Sequence, residues 1–372
     1  VIVGVPKEVM EAEYRVAITP VGVRELVREG HHVVIEQTAG DGSSIYDDDF
    51  VRAGARILTT ADDVWGAADM ILKVKQPLPE EFPRMRRNQL LFTYLHLAAH
   101  KDVTEALVQS GTTGIAYETV ELPDRSLPLL APMSEIAGRM APHVAANYLH
   151  RANGGRGVLM SGVSGVRPAR VLVIGAGMSG MNAAWIAQGL EAEVILLDKV
   201  VEKLRYVDHI HKGRILTLAS AALTIEEEVM AADVVIGAVL VAGARAPMLI
   251  SEDLVRAMKP GAVVVDISID QGGCLETSRV TTHTNPTYVT HGVVHYCVGN
   301  MPGAVPHTST YALANATMPY ALALARTGLN ALVADPALAK GVNVHDGRVT
   351  NEAVAAAVGM PWTPLAALLP GA

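Results

Sequence analysis

The chain has 372 residues, 50% of them hydrophobic and only 18% charged, so it can bury the cores of two or three domains and does not read as a disordered polymer. A net charge of −8, with no basic run longer than the RMRR at 84–87, argues against nucleic acid as a partner. Cys274 and Cys297 have no metal or redox spacing and no leader precedes VIVGVPKE, which points to a reducing cytoplasm.

Short β-branched runs alternate with longer helical patterns. The first series predicts strands at VIVGVP (1–6), HVVIEQ (32–37), MILKVK (70–75), LLFTYL (90–95) and TGIAYE (113–118), with helices over 21–29 and 101–109 among them. This alternation calls for parallel strands joined by right-handed crossovers. MSEIAGRMAPHVAANYLHRAN (133–153) predicts a connecting helix, with Ser134 as N-cap, Glu135 in the first turn and Gly154–Gly155 just past the end. A second series follows: VLVIGAG from 171, EVILLD (193–198), DVVIGAVL (233–240), AVVVDISID (262–270) and VVHYCV (293–298). A further helical stretch begins after 306; it either returns to the first domain or caps the second. The expected class is α/β, with two Rossmann-like doubly wound domains joined by long helices.

Residues 171–190 carry no charge over a length that could span a bilayer. Three spaced glycines, with Asn182 and Gln188, make a strand, a tight turn and a buried helix the better description, and no membrane partner is expected. Gly175, Gly177 and Gly180 spell G-x-G-x-x-G between that strand and helix, and the next strand ends in Asp198. Gly175 suits the tight turn, Gly177 the approach of a pyrophosphate, and Gly180 close packing of helix on strand. Amides at the helix N-terminus would face the anion. Asp198 would accept hydrogen bonds from ribose hydroxyls and repel a 2′-phosphate, which favours NAD over NADP.

Ligands of open α/β sheets sit beyond the carboxyl ends of strands. Lys75, His96, Glu118 and Asp270 fall there, and Arg15 lies in the loop after the first strand. Lys75 shares a strand face with Lys73, and the two read equally as functional or as a solvated pair. Arg15 alone is an ordinary loop arginine. Asp270 precedes two glycines that let backbone approach a ligand, whereas Asp266 sits within its strand and reads as a structural hydrogen-bond acceptor. His96 and His100 have the histidine spacing of a zinc helix, but Leu97 stands where the glutamate would and no third ligand is evident, so no metal is expected. His96, at a strand exit, is the candidate for chemistry, with an ordinary core role equally open. His100 reads as a surface or capping residue.

GVPKE…EYRVAITP, KVKQP, YLHLAAH, PLLAPMSEIAGRM, GGRGVLM, VIGAGMSG, IGAVLVAGARAP, VDISIDQGGC and GNMPGAVPHTSTYAL occur in one order along nearly the whole chain. Together they resemble the motifs of the L-alanine dehydrogenases. The resemblance implies a catalytic domain of residues 1–128 plus 307–372, an NAD-binding domain of 129–306, two long connecting helices and a homo-oligomer, commonly a hexamer. It implies NAD-dependent, reversible oxidative deamination of L-alanine to pyruvate and ammonium. By motif, Arg15 and Lys75 would hold the substrate carboxylate and carbonyl, His96 would be the acid/base, and Asp270 would assist at the substrate nitrogen or oxygen. Tyr94, Met133 and Asn300 would line the pocket. Residues implied for NAD, beside the three glycines, are Ser134, Met178, Ser179, Asp198, Lys203, Ser220, Val239, Leu240, Ile267, Asp270, Arg279 and Met301. SGVSGV (161–166) departs from the family's GGVPGV, which alters turn stiffness and not chemistry, and His307 stands where the family varies.

Two rival readings differ in class. The NAD-binding subunit of proton-translocating transhydrogenase resembles this family in fold and in the RVAITP region, but its subunits normally extend into membrane helices, and none is expected after LAALLPGA. A non-enzymatic NAD sensor on the same fold would be expected to lose Lys75, His96 or Asp270, and all three are present.

Overall fold

Parallel strands are covered on both faces, so they are short apolar runs and not alternating ones. The computed structural model, which describes residues 1–239 and 246–369, holds two such sheets among the described residues. In chain order the strands are β1 (Ile2–Val5), β2 (His32–Glu36), β3 (Arg56–Leu58), β4 (Met70–Leu72), β5 (Leu90–Thr93), β6 (Thr113–Ala116), β7 (Arg170–Ile174) and β8 (Glu193–Asp198). There follow β9 (Leu216–Ala219), β10 (Val234–Gly237), β11 (Val263–Asp266), β12 (Thr287–Thr290), β13 (Val293–Tyr296), β14 (Val342–His345) and β15 (Arg348–Val349). Every residue of β4, β6, β10 and β11 is buried.

The chain divides into two units, residues 1–133 with 305 onward, and residues 134–304. The first carries the sheet β15-β14-β6-β5-β4-β1-β2-β3, parallel from β1 to β6, with β14 and β15 added antiparallel. From β3 to β6 this is the 3-2-1-4-5-6 order of the doubly wound fold, with its switch point between β1 and β4. The second carries β12-β13-β11-β10-β7-β8-β9, parallel except for β12, with the same order from β9 to β13 and its switch between β7 and β10. Both units are thus Rossmann-like, as the alternating elements predict. The period of two sorts β7 and β8 onto two cores. Val171, Val173, Val194 and Leu196 pack on one side, Leu172, Ile174, Ile195 and Leu197 on the other.

The helix Ala131–Tyr148 contains the first unit boundary, and Pro306–Thr327 follows the second. The former begins before Ser134, which lies inside the helix and is not its N-cap. Pro132 sits in the opening turn, where a missing N–H costs nothing. Gly154, with φ 88°, closes a separate short turn, Arg151–Asn153, and not the helix itself. The variant SGVSGV segment forms a tight turn, with Val163 and Val166 bridged and Gly162 and Gly165 at φ 60° and 82°. The uncharged 171–190 run is β7, the glycine turn and the helix Met178–Gly189. No helix among the described residues is long and apolar enough to cross a membrane.

Several strands end earlier than their apolar runs suggest, each for a local reason. After Leu72 the Val74 N–H is taken by the Glu8 carboxylate at 2.6 Å, so β4 stops short of Lys75. β11 stops at Asp266 because its carboxylate accepts the Ser268 N–H at 3.0 Å and opens a short 3-10 turn, Ile267–Gln271. Asp270 therefore lies, itself exposed, on that turn and not at a strand end.

Candidate active site

In the first unit, Arg15, Lys75, His96 and Glu118 lie on the segments that follow β1, β4, β5 and β6, which neighbour one another in the sheet in the order β6-β5-β4-β1. Arg15, on the loop after β1, is 2% exposed. Its Nε and Nη2 donate to Glu13 Oε1 and Oε2 at 2.6 and 2.5 Å, and its Nη1 approaches Met133 Sδ at 3.0 Å. Burial works against the guanidinium charge, but the paired Glu13 more than offsets this and holds the group above its ordinary range.

Lys73 and Lys75 do not share a solvated strand face. Lys73 is fully buried and ion-paired with Glu8 at 3.1 Å and Glu81 at 2.8 Å. Burial alone would lower its ammonium; the two carboxylates reverse that and raise it. Burial pushes the Glu8 carboxyl up, against the pull of Lys73. Lys75 lies beyond the end of β4, half-buried, and its backbone oxygen accepts from Thr93 Oγ1 at 3.0 Å. The triad thus ties down the segment that leads to Lys75.

β5 delivers Tyr94 and His96. Tyr94 is buried and donates its hydroxyl to the Leu129 carbonyl at 2.5 Å, and burial raises its phenol, which stays protonated. The His96 ring stacks on that of Tyr94, with centroids 5.8 Å apart and planes 11° off parallel. His96 is half-exposed, has φ 50°, and donates its backbone N–H to Glu118 Oε1 at 2.5 Å. His100 occupies the N-cap position of the helix Lys101–Ser110 without capping it; its Nε2 sits 3.3 Å from Gln76 Nε2 instead. Among the described residues no group of three or more His, Cys, Asp or Glu is placed to hold a metal ion. His307 binds the Ser43 carbonyl through Nδ1 at 2.8 Å.

In the second unit the three glycines are sterically distinct. Gly175 has φ 107°, and a Cβ there would lie 2.5 Å from the Ala238 oxygen. A Cβ on Gly180 would lie 1.6 Å from the Gly175 oxygen, so helix and strand meet too closely for any side chain. A Cβ on Gly177 would meet nothing within 4 Å, which leaves open space in front of the helix N-terminus. Asp198 Oδ2 accepts the Ala176 N–H at 2.7 Å and Oδ1 the Val200 N–H at 2.8 Å, with Lys203 Nζ 3.8 Å away. Gly175, Asp198, Ser220, Val239 and Ile267 therefore follow or end β7, β8, β9, β10 and β11 on one edge of the sheet. Met178 is exposed as the first helical residue, and the Ser179 hydroxyl donates to the Ser134 carbonyl at 2.9 Å.

The Val239 N–H binds Ser268 Oγ at 2.9 Å. Asp270 Oδ1 accepts the Asn300 N–H at 3.3 Å, and Asn300 holds φ 60° beside the buried Met301. Arg279 lies over the Tyr288 ring, 4.1 Å from its centroid. Leu240 lies outside the described residues. Sequence reasoning missed Glu8, Glu13 and Glu81 and gave Glu118 no role. Only Glu13, two residues from Arg15, had a local signal, since alternate residues of an extended chain share a side.

The sequence matches two family descriptions, "Alanine dehydrogenase/PNT, N-terminal domain" over residues 4–137 and "Alanine dehydrogenase/PNT, C-terminal domain" over residues 141–352. It is 57% identical to the alanine dehydrogenase of Mycolicibacterium smegmatis, over 99% of this chain and 100% of that one. A solved L-alanine dehydrogenase superposes with a TM-score of 0.94 at 51% identity, covering 96% of this chain and 99% of that one. A transhydrogenase from Sinorhizobium meliloti superposes with a TM-score of 0.81 at 28% identity, covering 95% and 100%.

Proposed function

The chain belongs to the alanine dehydrogenase/PNT family, and from that premise we propose that it is an NAD-dependent L-alanine dehydrogenase. The reaction is L-alanine, NAD+ and water to pyruvate, ammonium, NADH and a proton, and the reverse. What supports this reading most is that Arg15, Lys75 and His96 lie on loops leaving β1, β4 and β5, three neighbouring strands beside one switch point.

The second unit fits a dinucleotide. The open space at Gly177, the left-handed Gly175 and the Asp198 carboxylate suit pyrophosphate and ribose. Ser134, Met178, Ser179, Lys203, Ser220, Val239, Leu240, Ile267, Asp270, Arg279 and Met301 complete the proposed set. When bound, NAD would supply the acceptor for the hydride that leaves the substrate Cα.

Arg15 is aligned by Glu13 and gives the substrate carboxylate a fixed cation, and Lys75 polarises the oxygen at C2. Tyr94, Met133 and Asn300 are proposed to line the substrate. Holding the reactant in one orientation is the larger part of what such groups contribute. His96 takes the proton of the water that adds to the substrate iminium carbon and returns it as the amine leaves. Asp270 stabilises the positive nitrogen. A cytoplasmic homo-oligomer, hexameric by the family resemblance, belongs to the same proposal; the free, buried thiols of Cys274 and Cys297 are compatible with a reducing compartment.

The test is NADH formation from a panel of L-amino acids with NAD and with NADP. Turnover confined to L-alanine and close analogues, with NAD preferred, is expected. Absence of NADH formation from L-alanine refutes the reading.

A further inference from the structure

β5 and β6 run side by side in parallel, with Thr93 opposite Ala116. Just beyond that pair both chains leave the sheet, and Glu118 on one faces the backbone of Leu95 and His96 on the other. The Glu118 carboxylate accepts the Leu95 N–H at 3.1 and 3.2 Å and the His96 N–H at 2.5 Å. His96 holds φ 50°, the left-handed region that residues with a Cβ rarely adopt. Such a backbone persists only where its surroundings over-determine it. Two charge-assisted hydrogen bonds to consecutive amides are of the kind that can do so.

We propose that Glu118 is the positioning residue for His96: its carboxylate clamps two successive amides, fixes the left-handed turn, and so aims the imidazole. The ring has a second guide in Tyr94, on which it stacks and whose hydroxyl is tied to Leu129. Glu118 acts through the backbone of the turn and takes no proton in the reaction. Because Oε1 alone accepts from both amides, an amide oxygen in its place can keep the clamp without the charge. This inference rests on His96 being the acid/base of the proposed reaction.

The test compares E118A and E118Q with the parent in the full-length chain. E118A is expected to lose about tenfold to a hundredfold in kcat, the scale of a misplaced catalytic group. KM for pyruvate should stay within about threefold, since the carboxylate clamp is untouched. E118Q should recover most of that kcat and keep the parent's pH profile. A kcat for E118A within about twofold of the parent overturns the proposal. So does an E118Q as impaired as E118A, because that assigns the effect to charge.

Amide hydrogen exchange at Leu95 and His96 reads the turn without any substrate. E118A should exchange about tenfold faster there, with the thermal midpoint of the chain little changed. Unchanged exchange at both amides also overturns the proposal. If the parent forms no NADH from L-alanine, the functional reading fails while the exchange data still decide the turn.

Discussion

Replacing Lys73 with methionine removes the single cation from a fully buried triad and leaves Glu8 and Glu81 facing one another. In the parent, Lys73 Nζ lies 3.1 Å from Glu8 and 2.8 Å from Glu81, with side-chain exposures of 0, 3 and 1%. Breaking a buried pair by removing one partner costs about 3–5 kcal/mol, because the remaining charge is neither solvated nor compensated. Methionine fills most of the lysine volume, so the loss is electrostatic in origin and not a cavity effect. The cost must shrink as pH is lowered. Burial already raises the Glu8 carboxyl, and Lys73 opposes that rise. A raised carboxyl binds more protons folded than unfolded, so its charge penalises folding as pH rises through its folded value and is relieved below it. Without Lys73 the rise is larger. The variant should therefore be least stable near neutrality and recover part of the deficit on mild acidification. Urea denaturation at several pH values measures this, with K73M/E81Q expected to regain part of the loss. A K73M stability within about 1 kcal/mol of the parent at neutral pH would refute the buried-triad reasoning.

Three further outcomes follow from named groups. H96A should lose about two to four decades in kcat while NAD still binds, and near-normal turnover would remove His96 from the chemistry. G180A places a Cβ 1.6 Å from the Gly175 oxygen, so the glycine turn must move and NADH binding, followed by its fluorescence, should weaken by about tenfold or more. D198A removes the acceptor of the Ala176 N–H as well as the carboxylate that would repel a 2′-phosphate. Its ratio of kcat/KM with NAD to that with NADP should fall; a fixed ratio assigns cofactor choice elsewhere.

Much of the architecture is legible in the sequence because parallel strands are apolar runs that stop at ligand-facing loops. β1, β2, β4, β5 and β6 lie within the N-terminal runs, and β8, β10, β11 and β13 within the second series, while β7 begins one residue before its run, at Arg170. The strands left unread are mostly at sheet edges, where β3, β9 and β12 are half-exposed and carry little pattern. β14 and β15 are different. Asp346 and Gly347, at φ 44° and 71°, form a two-residue hairpin turn whose Asp-Gly signal was present but sits in a short segment.

At the candidate site, strand exits could be read but side-chain pairing could not. Nothing local says that Lys73 meets Glu8, 65 residues away, or that His96 leans on Glu118, 22 residues away. The same pairings move the strand ends: Glu8 captures the Val74 amide, and Asp266 captures that of Ser268. A sequence pattern records which runs are apolar, whereas these boundaries depend on a carboxylate supplied by another loop or by the strand's own last residue.

In the proposed reaction the hydrogen on the substrate Cα passes to NAD as hydride. Turnover of L-alanine deuterated at Cα, with mass analysis of the reduced cofactor, tests it directly. One deuterium in NADH, with unlabelled ammonium and pyruvate as the other products, is predicted; NADH without the label, or no NADH at all, rules out hydride transfer from Cα to NAD.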